Sequence, residues 1–369
     1  MMHKHVLLVL AALFVLVAPV WAQEATTEAT AALEPWVCPE GFAGQTLNVY
    51  NWSTYVAEDT IPNFEAACGV RVEYSVFGSN EEMLARLSQG NPGFDIVVPT
   101  GYMVATMAGR DLLEPLDLAN IPNAANVSEV LLNPVYDPDN MYSLPYQWGS
   151  LGVGYNLSTV GEEITTWDQV FSYDGPVAWI DDPRFMFGVA LTILGFDANS
   201  ENPDEIAAAR DFLIESGGNV VAIAADDGQA LLQRGDVDIA LEYSGDIFQV
   251  GVDCECEDFQ YVLPEPAGQV WVDNLAIPTG APNHALAEVF IDYVLDPQVG
   301  AAISNYTAYA TPNQAAIDAA LVLPEYLNTP TVYPSSEVIA RSFTTLAVSS
   351  DAEQAYGDAW DEVKILLGR

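Results

Sequence analysis

Basic side chains are scarce in this sequence. Ten Lys and Arg stand against 52 Asp and Glu, giving a formal net charge of −42, and Lys4 and Lys364 are the only lysines. Binding nucleic acid through its phosphates requires basic patches, so that class of partner is excluded. The same balance attracts small cations and also suits salty or acidic surroundings, so it permits a ligand without naming one. Histidine is scarcer still: beyond His3 and His5 there is only His284. It stands in Gly280-Ala281-Pro282-Asn283-His284-Ala285, the approach to a predicted helix. Triads, Cys-His pairs and most catalytic zinc sites need histidine, and one loop-placed residue removes nearly all of them. Carboxylate-only chemistry, as in glycosidases, stays open.

Cysteine is limited to Cys38, Cys68, Cys254 and Cys256. An even count in an exported chain favours disulfides, with the connectivity left open by the sequence, and Cys254-Glu255-Cys256 lacks the usual spacing of a zinc site. Only one long apolar run exists, Val6 to Val20. It follows Lys4 and precedes Trp21-Ala22, which is the pattern of a secretory signal peptide over residues 1–22. No other run approaches the roughly 20 residues of a membrane span, and no cysteine follows closely enough for lipid attachment. Residues 23–44 open on Ala, Thr and Glu and are expected to form a flexible leader. The mature protein is expected to be exported and soluble, and its length suits two domains with substantial cores.

From Leu47 the pattern alternates. Leu47 to Tyr50 is a strand and Asp59 to Ala67 a helix; Val70 to Phe77 is again a strand. Ser79-Asn80-Glu81-Glu82 matches a capping box that opens a second helix, and Phe94 to Val98 is a buried-type strand. This β-α-β-α-β order implies a parallel sheet, whose ligands bind beyond the carboxyl ends of the strands. Trp52, Ser53, Tyr55, Thr100 and Tyr102 lie just past those ends. A second α/β unit runs through Val177 to Ile180, a helix from Asp182, a helix over Asp204 to Glu215, and Val237 to Leu241. Amphipathic helices are predicted over Asn283 to Leu295 and Ala352 to Leu367. Asp137-Pro138-Asp139-Asn140 is read as a turn, because it lacks the Gly and Glu of a calcium loop.

Val270 to Pro278 reads as a strand in which Trp271 and Asp273 share one face. A flat aromatic beside a carboxylate is what an organic cation needs: a π face for its methylenes and an anion for its ammonium. Taken alone, this segment is fitted better by a core Trp followed by a polar strand end, and the rest of the chain has to shift that balance.

Six segments taken together carry a resemblance. They are Val49-Tyr50-Asn51-Trp52-Ser53-Thr54-Tyr55, Phe94-Asp95-Ile96-Val97-Val98-Pro99-Thr100, Tyr136-Asp137-Pro138-Asp139-Asn140, Leu144-Pro145-Tyr146-Gln147-Trp148-Gly149, Trp271-Val272-Asp273-Asn274-Leu275-Ala276-Ile277-Pro278 and Tyr309-Ala310-Thr311-Pro312-Asn313. In order and spacing they resemble the bacterial spermidine/putrescine-binding proteins, the extracytoplasmic receptors of polyamine ABC importers. The resemblance implies an α/β, two-lobed periplasmic-binding-protein fold with an interlobe ligand cleft and hinge crossings. Lobe 1 would comprise residues 45–148 plus 272–316, and lobe 2 residues 149–271 plus 317–369.

It also implies a binding set of Trp52, Ser53, Tyr55, Thr100, Tyr102, Asp182, Tyr243, Asp246, Trp271, Asp273 and Tyr309. Tyr243 falls where the family usually has Trp, and Phe185 occupies the place of a family glutamate, with Glu242 a nearby substitute. The implied protein is a periplasmic or extracytoplasmic monomer. It binds putrescine or spermidine and delivers it to a membrane permease, without a cofactor, a metal or catalysis. Two other readings stay open: a receptor for another small amine or solute, and a secreted carboxylate-dependent hydrolase. Each residue also has a plainer role, Asp182 as a helix N-cap, Arg184 as an ion-pair partner and Trp148 as core.

Overall fold

The computed structural model describes residues 34–369 apart from Asp226, Glu255, Cys256 and the side chain of Asp253. The expected signal peptide and residues 23–33 of the leader lie outside these. β1 (Thr46–Trp52) and β2 (Arg71–Phe77) pair in parallel, from Thr46 opposite Arg71 to Trp52 opposite Phe77. The helix Thr60–Cys68 between them buries Phe64 and stops on Gly69, whose φ of +65° only glycine adopts at little cost. The helix Asn80–Leu87 then returns the chain to β3 (Ile96–Val97), on the other side of β1. A second parallel group consists of β6 (Val177–Ile180), β7 (Val220–Ala224) and β8 (Ile239–Tyr243).

Two long strands join the groups. β5 (Ser143–Asn156) and β10 (Gln269–Pro278) run antiparallel side by side, and the sheet order is β2-β1-β3-β10-β5-β8-β6-β7. β4 (Leu113–Glu114) adds to β10, and β9 (Phe259–Val262) to β5. The result is two α/β lobes that share one sheet through a pair of crossing strands. The pairing of β10 with β5 slips between Asp273 and Asn274, leaving Tyr146 as an extra residue between Gln147 and Pro145. A bulge of this kind bends the strand and re-aims its side chains. Asn274 N turns away to donate to the Pro99 carbonyl at 2.9 Å, which lays the β3 loop against β10 beside Asp273.

Because cations are few, buried acids are satisfied by neutral N–H donors. Asp95, fully buried, accepts from the backbone of Asn48 at 2.8 Å and of Asn283 at 2.7 Å. Asp137 takes backbone N–H groups of Tyr142 and Ser143, so the Asp137–Asn140 segment is a turn locked by its own first residue. Glu288 accepts from Asp117 N and Asn120, and Asp292 from Asn123 N and the Trp36 indole. Each bond offsets the cost of taking a carboxylate out of water.

The last of these changes the picture of the leader. Trp36 packs against Phe64 and Tyr293, and a disulfide joins Cys38 to Cys68, so the chain is tied down from there on. The flexible character expected through residue 44 does not extend over this stretch. The cross-link closes a 30-residue separation. Replacing both Cys38 and Cys68 by Ser is expected to lower the unfolding free energy by about 2–4 kcal/mol in urea titration.

Candidate ligand-binding cleft

The carboxyl ends of the parallel strands open onto a cavity of about 600 Å³. All eleven residues singled out from the sequence are on its wall. Trp52, Ser53 and Tyr55 follow β1; Thr100 and Tyr102 follow β3; Asp182 follows β6; Tyr243 and Asp246 stand at the end of β8; Trp271 and Asp273 lie on β10, and Tyr309 completes the floor. Thr54 adopts φ +48°, rare for a β-branched residue, in the turn that carries Tyr55 beneath Asp273.

Asp273 is the most enclosed acid of the cleft. Its carboxylate accepts from Thr100 Oγ1 at 2.6 Å and from Tyr55 OH at 3.0 Å, and Asn80 in turn holds Thr100. Burial pushes its pKa up to about 7, although the two hydroxyl donors pull the other way. Asp246 accepts from Tyr309 OH at 2.8 Å, and Glu81 from Tyr102 OH at 3.0 Å. Three of the acids thus each hold a tyrosine hydroxyl. Burial and the neighbouring acids push the pKa values of those tyrosines well above the usual range, so they stay protonated as donors. Asp182 caps the helix Pro183–Ile193 by accepting from Phe185 N at 2.9 Å, and its pKa is raised by burial. The capping role and the place on the wall coexist.

The rings form a chain. Tyr309 stands edge-on to Trp271 at 5.2 Å and to Tyr55 at 5.6 Å, and Tyr243 edge-on to Trp271 at 6.0 Å. Two glycines make room. A Cβ on Gly149 would lie 2.6 Å from the Trp271 ring, and one on Gly245 would lie 2.7 Å from Tyr309. Trp52 is fixed by its indole N–H on the Val98 carbonyl at 2.9 Å.

Among the described residues no Lys, Arg or His lines the cavity, while Glu81, Asp181, Asp182, Asp246 and Asp273 do. The two nearest cations are committed behind the wall. Lys364 reaches Asp181 at 3.4 Å, beside the Trp360 indole at 2.6 Å. Arg184 is buried and pairs with Glu353 at 3.0 Å, as the sequence suggested. The sequence reading missed Glu81 and Asp181. The Ser79-Asn80-Glu81-Glu82 pattern does open the helix: Ser79 Oγ accepts from Glu82 N, and the Glu82 carboxylate accepts from Gly78 N at 2.9 Å. Glu81 is thereby left to face the cavity. Phe185 is fully buried near Trp167 and Phe343 and contributes nothing to the wall. Glu242 is no substitute there: it is buried and accepts from Gln229 N and Tyr243 N, away from the lining. Trp148 is half-buried against Tyr333.

A crossing-strand pair, two α/β lobes and an acidic, ring-lined cleft between them define a periplasmic-type binding protein. Residues 60–331 match the family model of bacterial extracellular solute-binding proteins, and the chain belongs to that family. It is 32% identical over 340 residues to the putrescine-binding periplasmic protein of Escherichia coli K12, covering 87% of this chain and 91% of the other. It is 34% identical to the spermidine/putrescine-binding periplasmic protein of the same organism, covering 80% and 84%. Its fold matches a putative spermidine/putrescine ABC transporter structure from Listeria monocytogenes with a TM-score of 0.82 at 32% identity, over 87% of this chain and 99% of the other.

The raised pKa of Asp273 fixes a sign. A carboxyl at about 7 when folded and about 3.9 when unfolded stabilises the empty protein fully only below pH 4 or so. That contribution is lost as pH rises through 7. Urea unfolding of Asp273→Asn against the parent protein is therefore expected to favour the variant increasingly. The difference should grow by about 2–3 kcal/mol from pH 5 to pH 8.

Proposed function

We propose that this protein is an extracytoplasmic receptor that takes up a polyamine such as putrescine or spermidine in the cleft and presents it to the permease of an ABC importer. The observation that carries the reading is the cavity wall itself, which among the described residues has five acids, no base and a run of aromatic rings. A polyamine is a flexible apolar rod with an ammonium at each end. Its ends call for carboxylates and its shaft for ring faces. The family role is solute binding, and no catalytic step is assigned to the cleft.

Charge-assisted hydrogen bonds contribute about 1.5–3 kcal/mol each, and cation–π contacts about 0.5–2. Two or three of each, less the cost of immobilising the ligand, reach micromolar affinity, about −8 kcal/mol. We assign residues 45–148 plus 272–316 to one lobe and 149–271 plus 317–369 to the other. β5 and β10 then act as the hinge, and Tyr309 OH on Asp246 is a contact across the cleft. In the empty site the acids repel one another, and a bound dication turns that repulsion into an attraction that draws the lobes together. The receptor works as an exported monomer in the periplasmic or extracytoplasmic space.

Calorimetry with putrescine, spermidine, cadaverine and agmatine, followed in parallel by tryptophan fluorescence from Trp52 and Trp271, tests the reading. At least one is expected to bind at one-to-one stoichiometry with micromolar or tighter affinity, and no binding by any of them would refute it. Since the ligand needs Asp273 ionised, affinity should fall about tenfold from pH 8 to pH 6. Asp273→Asn should weaken binding at pH 8 by about 1–3 kcal/mol and flatten that dependence.

A further inference from the structure

Of the cleft acids, Asp181 and Asp182 follow β6 and Asp273 lies on β10, whereas Glu81, like Asp246, comes from the first turn of a helix, here Asn80–Leu87. Ser79 and Glu82 serve the helix end, and within the helix the Glu81 carboxylate takes a hydrogen bond from its own backbone. Its side-chain partner is Tyr102 OH at 3.0 Å. The Tyr102 ring in turn stands 5.9 Å from the guanidinium of Arg184. That guanidinium is immobilised by Glu353 at 3.0 Å, Asn199 at 3.2 Å and the Leu346 carbonyl at 3.0 Å. Glu81 is therefore held by a ring that is itself braced on the helix of the opposite wall.

That helix begins at Asp182, and the charge of Asp182 acts on Glu81 across the cavity. Beside Asp182, Asp181 is engaged by Trp360 and Lys364 through one of its oxygens, and Phe185 is turned into the core. Both Glu81 and Asp182 remain reachable from the cavity, Glu81 exposed and Asp182 half-buried. The charged and titratable groups around the pair are Asp181, the Tyr102 phenol, and Glu353 with the Arg184 guanidinium it holds.

We infer that Glu81 and Asp182 form a cross-cleft pair that takes a single ammonium between them, and that Glu81 thereby sets a preference for ligands charged at both ends. The inference rests on the amine-receptor reading. One carboxylate comes from each wall, so the shared ammonium links the two lobes directly. A ligand with one charged end satisfies the Asp273 region and leaves this pair repelling.

Titration calorimetry of the full mature chain and of Glu81→Gln, with putrescine and with 1-aminobutane, tests this. Glu81→Gln is expected to weaken putrescine about tenfold and 1-aminobutane less than twofold. Its empty form should melt no lower than the parent protein, since one member of a repelling pair is neutralised. Adding Asp182→Asn should cost less on the Glu81→Gln background than alone, because one ammonium is shared. Losses equal for both ligands, a putrescine affinity unchanged within twofold, or a loss that comes with a lower melting temperature would overturn the inference. If the parent protein binds neither putrescine nor any other amine, the receptor reading falls as well, and the two failures are thereby told apart.

Discussion

The structure turns on how a chain with few cations keeps carboxylates out of bulk water. Two solutions coexist. Acids that build the scaffold, such as Asp95, Asp137 and Glu288, are buried against backbone and amide N–H donors. Acids of the cleft are held mainly by hydroxyls: Tyr55 and Thr100 on Asp273, Tyr309 on Asp246, Tyr102 on Glu81. A scaffold acid surrounded by amides is stabilised in place. Asp273 accepts from two hydroxyls, and burial raises its pKa in spite of them.

The tyrosines serve twice. Each positions a carboxylate through its hydroxyl, and its ring belongs to the wall along which a methylene chain would lie. Their edge-on packing, Tyr55 to Tyr309 to Trp271 to Tyr243, makes the arrangement rigid before any ligand arrives. Preorganisation of this kind reduces the ordering cost on binding. The bulge in the β10–β5 pairing and the close approaches at Gly149 and Gly245 are the backbone devices that permit it.

The shared strands give the cleft its leverage. β5 changes neighbour along its length, from β10 over its first half to β8 over its second, so it belongs to both lobes. Asp273 sits where β10 slips against β5 and receives the β3 loop through Thr100. Charge placed at that point acts on strands, loops and both parallel groups at once.

Much of this was legible in the sequence. Periodicity located the helices at Thr60–Cys68, Pro203–Ser216 and His284–Val294 within a residue or two, and the strand–helix alternation implied the parallel groups and hence the side on which a site would lie. The period-two alternation of a strand put Trp271 and Asp273 on one face, and the family resemblance named eleven residues that all line the cavity. What the sequence could not decide were contacts between residues far apart in the chain. The place of Glu81 on the wall is set with Tyr102, 21 residues away, whose hydroxyl it accepts. The direction of Glu242 depended on Gln229, thirteen residues away, and Trp36 is fastened on Asp292, 256 residues further along the chain. Local pattern determines which face a side chain takes on its own element; only the packing of elements decides whether that face meets solvent, core or cleft, because those energies are set by partners that no local window contains.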